Sequence, residues 1–146
     1  MPSGKTQTFE GKLLDHVFRA TAYTATANVY VGLFTTAPTD TTAGTEVSGG
    51  SYARAPVPAA TGGAAAWNAP SGNPRQISNV NAINWSTNPT ADWGTIVAIG
   101  IFDALSGGTL LYYTTTQSDG STAISKITQS GDTVSIAAGQ LIISEN

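Results

Sequence analysis

From residue 28 onward the chain is cut by a turn signal roughly every 8 to 12 residues, and the runs between cuts are rich in β-branched and aromatic side chains. That spacing leaves room for short strands and little else. Residues 28–35 (NVYVGLFT) stop at Ala37-Pro38, and residues 95–103 form the best buried strand. Residues 104–108 (ALSGG) turn the chain into 109–115, a hairpin pattern. Further runs at 121–128, 132–137 and 140–144 are separated by Asp119-Gly120, Gly131-Asp132 and Gly139. Residues 52–57 can form only an edge strand, because Pro56 and Pro58 lack a ladder donor. Alternation at Ile77, Val80, Ile83 and Trp85 adds one or two more strands. The expectation is a mainly β fold, sandwich or jelly-roll-like, of seven to nine short antiparallel strands.

One segment breaks this pattern. Phe9, Leu13, Leu14, Val17 and Phe18 recur with a 3.6-residue period, so residues 8–19 are expected as the single N-terminal α-helix. Its apolar face should lie on a sheet, with Thr8 as N-cap and Glu10 and Arg19 complementing the helix dipole. Residues 1–7 are small and polar and are read as an N-terminal arm; residues 8–146 form one domain.

The surface this implies is unusual. Only 10% of the residues are charged, against about 25% in an ordinary domain. Thr (22), Ala (21), Gly (16) and Ser (13) together make up about half of the 146 residues. A net charge of −3 and a pI near 4.7 argue against nucleic acid, whose phosphates require clustered Lys and Arg. No secretory leader and no apolar run of about 20 residues is visible, so a membrane role is not expected. With no cysteine there is neither a disulfide framework nor thiolate chemistry.

Catalytic patterns are equally scarce. His16, the only histidine, sits beside Asp15 on the polar helix face and reads as an exposed helix residue. Asp92 and Asp103 flank the best strand, but extended chain would hold them roughly 30 Å apart, too far to share one sugar bond. Both read as strand-end residues that bond nearby backbone N–H groups. Asp119 and Asp132 lack the D-x-D-x-D-G spacing of a calcium loop. The three Gly-Gly pairs lack the Lys-Ser/Thr and helix of a phosphate cradle. No enzyme, cofactor or metal is expected. Small polar side chains instead suit extensive near-neutral contacts, since they lose little rotamer entropy on ordering. The long loops 36–50 and 59–74 then read as contact arms.

Four segments carry a resemblance: FEGKLLDHVFRATAYTATANVYVGLFTTAPTD, GTEVSGGSYARAPV, ADWGTIVAIGIFDALSGGTLLYY and SGDTVSIAAGQLIIS. From about residue 9 the chain resembles a family of small bacteriophage virion proteins, tail-fibre-like or structural, some of them similar to capsid decoration (cement) proteins. The resemblance implies a β-rich, non-catalytic subunit present in many copies. A compact domain without heptads suits a capsid decoration protein on the outer head surface better than a tail-fibre component. Its partners would then be the major capsid protein and copies of itself, as a trimer or dimer. Residues 59–74 depart from the family pattern, being longer and richer in Ala and Pro. On this reading the arm, with Lys5, Thr6 and Gln7, reaches a neighbouring subunit. Tyr52 and Arg54 are the expected contact residues beside the long loop; the alternative for Arg54 is an ion pair within its own chain. A third reading is a carbohydrate-binding module with Trp67 stacking on a host glycan, Trp85 and Trp93 being core.

Overall fold

The β-branched and aromatic run beginning at residue 28 becomes the longest strand, Asn28–Thr36, and the largest sheet is built around it. A computed structural model describes residues 4–59, 66–85 and 89–145. In chain order its elements are β1 (Gly4–Lys5), α1 (Gln7–Phe18), β2 (Asn28–Thr36), β3 (Thr45–Glu46), β4 (Ala55–Pro58) and β5 (Arg75–Ser78). They continue with β6 (Ile83–Asn84), β7 (Gly94–Ile96), β8 (Ala98–Phe102), β9 (Leu110–Thr114), β10 (Lys126–Thr128), β11 (Ser135–Ile136) and β12 (Ile142–Glu145). The protein is mainly β with one N-terminal helix, as the turn spacing predicts.

The strand count exceeds the expected seven to nine, because predicted runs break. The apolar stretch 95–103 is two strands: Val97 leaves the ladder to donate its N–H to Phe34 O (2.8 Å), and the chain changes sheets there. β8 joins a six-stranded antiparallel sheet of order β1-β9-β8-β2-β3, with β4 also pairing β2. β7 pairs β10 instead, and two more two-stranded ladders, β6 with β11 and β5 with β12, complete an open arrangement of several sheets. Strands that switch sheets at a bend are a standard way to turn a β corner.

Alternation along β2 and β8 sorts side chains onto two faces. Val31, Leu33 and Ile101 point into the main core, where Ile83, Trp85, Trp93, Val134 and Leu141 meet them from the smaller ladders. The other face holds Phe34 and Phe102, stacked with ring centroids 5.9 Å apart. Those rings need glycine beneath them. A Cβ on Gly100 would lie 2.6 Å from the Phe34 ring, and one on Gly32 would lie 2.9 Å from Phe102.

The helix starts one residue earlier than its periodicity predicts, and its N-cap is Thr6 rather than Thr8. Thr6 wins because its hydroxyl does two jobs: it accepts from Phe9 N–H (3.3 Å) and donates to Leu110 O on β9 (2.6 Å). The expected apolar face is only partly used. Phe9 is buried, edge-on to Tyr23 and Tyr112, whereas Leu14, Val17 and Phe18 are exposed. The helix meets the sheet at β9, next to the edge strand β1, and that contact covers one strip of a wider apolar arc.

Candidate functional site

The side chains with catalytic potential are occupied by turns and caps. His16 is exposed, and its Nδ1 accepts the Tyr23 N–H (3.2 Å). Asp92 accepts the Ser130 N–H (2.9 Å) and Asp103 the Thr109 N–H (2.6 Å), the strand-end roles their positions indicate. Asp119 closes a turn: the Thr122 hydroxyl first, then the N–H groups of Ser121 and Thr122, all donating to it, lower its carboxyl to about 2. Among the described residues no three His, Cys, Asp or Glu side chains cluster as metal ligands.

Tyr52 and Arg54 turn inward, and Arg54 takes the ion pair within its own chain that was the alternative to a contact role. Arg54 is buried and makes a two-pronged ion pair with Glu46, Nε to Oε1 and Nη2 to Oε2, both 2.8 Å. Its Nη1 donates to Ala104 O (2.7 Å) and Gly107 O (2.8 Å), pinning the β8–β9 hairpin turn. The guanidinium stacks 3.3 Å from the centre of the Phe102 ring. Tyr52 donates to Glu46 Oε1 and accepts the Leu33 N–H, both at 2.9 Å. Burial first, then the Glu46 carboxylate, pushes the Tyr52 phenol far above its ordinary value. Tyr52 also meets Trp93 edge-on, and Trp93 Nε1 donates to Gly50 O (2.9 Å). The EVSGGSYAR motif is therefore an internal brace, with four of the five N–H donors of Arg54's fork engaged within the chain.

The expected arm is largely part of the domain. Gly4 and Lys5 pair with Tyr113 and Tyr112 as the edge strand β1, Thr6 is the buried N-cap, and Gln7 is the first helical residue. Residues 1–3 lie outside the described residues. Lys5 Nζ pairs with Glu145 of β12, which also accepts the Tyr112 hydroxyl. Burial opposes ionisation of Glu145, but the Lys5 ammonium and the Tyr112 hydroxyl outweigh it and hold its carboxyl below the ordinary value. Trp67 is half-buried: it bridges to Asn79 and packs on the main core, so it is not a free stacking platform. Most of the loop before it, residues 60–65, lies outside the described residues. Trp85 and Trp93 are core, as their strand context indicates.

Glu46, the carboxylate that organises the brace, was not singled out from sequence, nor was Glu145. Even spacing places positions 46, 52 and 54 alike in an alternating pattern, and that was the available signal. Asn79 is another unforeseen anchor. Fully buried, it donates from Nδ2 to Asn81 O and Ala137 O and accepts the Leu141 N–H.

Among the described residues, two surfaces stand out. A half-open cleft of about 710 Å³ lies between the main sheet and the C-terminal ladders, with Ile99, Ile101 and Ile136 on its walls and Thr116, Gln117 and Gln140 among its polar groups. The outer face of α1 is the second. Neither offers a nucleophile paired with a base.

A family model, Gp80, described as podophage GP4 fiber I protein gp80, matches residues 4–144. The chain belongs to the Gp80 family. The Gp80 match spans β1 through most of β12, so the family unit is the whole described domain. No relative matches among curated proteins. Membership confirms the bacteriophage virion resemblance at the level of a fibre structural protein. It also corrects the preference for capsid decoration: Gp80 is a fibre family, which supports the alternative. Compactness was the wrong discriminator, because a fibre can be assembled from small globular subunits as well as from a long coiled coil.

Proposed function

We propose that this chain is a non-enzymatic structural subunit of a podophage tail fibre, working through contacts with copies of itself and with adjoining virion proteins. The observation that carries the reading is the family match across residues 4–144. The brace around Arg54 supports it, because the polar groups that sequence marks out are bonded within the chain and serve rigidity. The low charge supports it too: a surface of Thr, Ser and Ala is cheap to desolvate against a neighbour. Quantitative mass spectrometry of purified virions, with antibody labelling in electron micrographs, tests the assignment. A small fixed number of copies, labelled at the tail, is the expected result. Hundreds of copies on the head would restore the decoration reading.

The cleft favours a second reading, a site for a neutral glycan. Its volume lies in the range of small-molecule sites, and its lining is mostly uncharged. Glycan-array binding by the intact chain that disappears on Ile136→Trp, a substitution that fills the cleft, would support it. Silence across the array would retire it.

A further inference from the structure

The half-open cleft has two unequal walls. One is built from Ile99, Ile101 and Tyr112 of β8 and β9, strands that are paired on both sides within the six-stranded sheet. The other presents Gln76, Ile142 and Ile143 of the β5–β12 ladder. That ladder is four residue pairs long, and neither of its strands holds a buried side chain. A two-stranded ribbon is marginal by itself, so its position depends on how its ends are tied.

The two ties differ in kind. At the inner end Asn79 faces Leu141, and both are buried. The Leu141 N–H donates to Asn79 Oδ1 (2.9 Å), and Asn79 Nδ2 donates to Asn81 O (2.8 Å) and Ala137 O (3.0 Å). Breaking this knot would leave buried polar groups unpaired, which is costly. At the outer end Glu145 accepts from Lys5 Nζ and from the Tyr112 hydroxyl. The Lys5 and Glu145 side chains are 23% and 42% exposed, so water can replace their pairing at little cost. Tyr112 belongs to the opposite wall, and this clasp therefore spans the rim of the cleft.

We propose that the β5–β12 ladder is a hinged wall of this cleft, swinging about Asn79 and Leu141 and held shut by the Glu145 clasp. Four residues separate Leu141 from Glu145, so the moving arm is about 13 Å long. Behind it lies a cleft of about 710 Å³ in place of close-packed side chains, so an outward swing costs the clasp and little packing. It widens the mouth and leaves β8 and β9 paired. The flanking segment divides accordingly: Asn68 N–H bonds Ser78 O near the knot, whereas Ser71 and Gln76 exchange backbone bonds and travel together. Sub-global openings of this kind come from the least stable cooperative unit of a fold. The glycan reading would make the cleft a gated site, but the hinge stands whatever the cleft holds. Its failure leaves the glycan array and the virion copy count free to decide their own readings.

Native-state hydrogen exchange of the full chain, followed by nuclear magnetic resonance, reads the hinge directly. Ladder amides of β5 and β12 should exchange at least about tenfold faster than those of β2 and β8, while the Leu141 N–H follows the main sheet. Glu145→Gln should speed the ladder amides by about two- to fivefold, the scale of a part-exposed ion pair, and leave β2 and β8 unchanged. The chain has no cysteine, so Ile101→Cys on the cleft floor supplies a second readout. Its alkylation by iodoacetamide should quicken by a similar factor when Glu145→Gln is added. Ladder and main-sheet amides exchanging at one common rate overturn the proposal, as does Glu145→Gln speeding both sheets alike or neither. A Leu141 N–H that exchanges with the ladder means melting instead of swinging, and overturns it too. So does alkylation of the Ile101→Cys variant that is indifferent to Glu145→Gln.

Discussion

The brace around Arg54 and the helix at the N-terminal end make opposite use of their best side chains. In the brace, one guanidinium meets a carboxylate, two carbonyls and an aromatic ring, all in its own chain. On α1, three large apolar side chains meet solvent. Polar groups that would be costly to bury unpaired are matched internally, whereas apolar groups, which a second surface can cover without directional demands, are left open. The difference separates what holds the domain together from what it can offer a neighbour.

Arg54→Ala is the sharpest way to break that contrast. It strands Glu46 beside Phe102 and frees the hairpin turn, so urea unfolding should show a loss of about 3–5 kcal/mol. Arg54→Lys should recover little of this, because lysine cannot bridge both carboxylate oxygens. A loss under about 1 kcal/mol would mean that the brace is ornamental. Gly100→Ala tests the aromatic stack beside it: the new methyl must displace the Phe34 and Leu110 side chains, which should lower stability by about 1–3 kcal/mol in the same assay. Thr6→Ala addresses the joint between the two regions. Losing the N-cap should cost about 1 kcal/mol, with the helical signal melting ahead of the near-ultraviolet signal of the core.

The smallest effect is acid sensitivity at Glu145. Its folded carboxyl lies below the ordinary value, so its contribution is complete above about pH 4.3 and fades as the pH falls through the folded value. Acid unfolding of Glu145→Gln should accordingly lack this last component, and the two proteins should converge at the acid end. Divergence growing toward low pH would carry the wrong sign.

How much of this was readable beforehand depended on the range of the interaction. Turn spacing and β-branched runs are local, and they revealed the β class, the 104–108 hairpin and the cores formed by Trp85 and Trp93. The helix was equally plain from its period, but period alone does not say whether a partner strand lies across from each apolar position. Phe9 and Phe18, nine residues apart, stand about 180° apart around the helix, so only the side bearing Phe9 could reach β9. The break at Val97 was invisible because a continuous apolar run looks the same whether or not it changes sheets; a hydrogen bond to Phe34, some sixty residues earlier, decides it. Arg54 drew notice as a charge beside an aromatic, yet that signature is identical for a residue facing a neighbour and one facing its own Glu46.

The partners of the main sheet are far apart along the chain. β2 waits for β8, and the Thr6 hydroxyl bonds to Leu110, 104 residues later. Folds dominated by such distant pairings form slowly, since loop closure must precede most of the stabilising contacts. During synthesis, Phe9 has Tyr23 within reach early, but its second ring partner, Tyr112, is not made until much later. The face of α1 that packs on β9 is therefore completed only after most of the chain has been made.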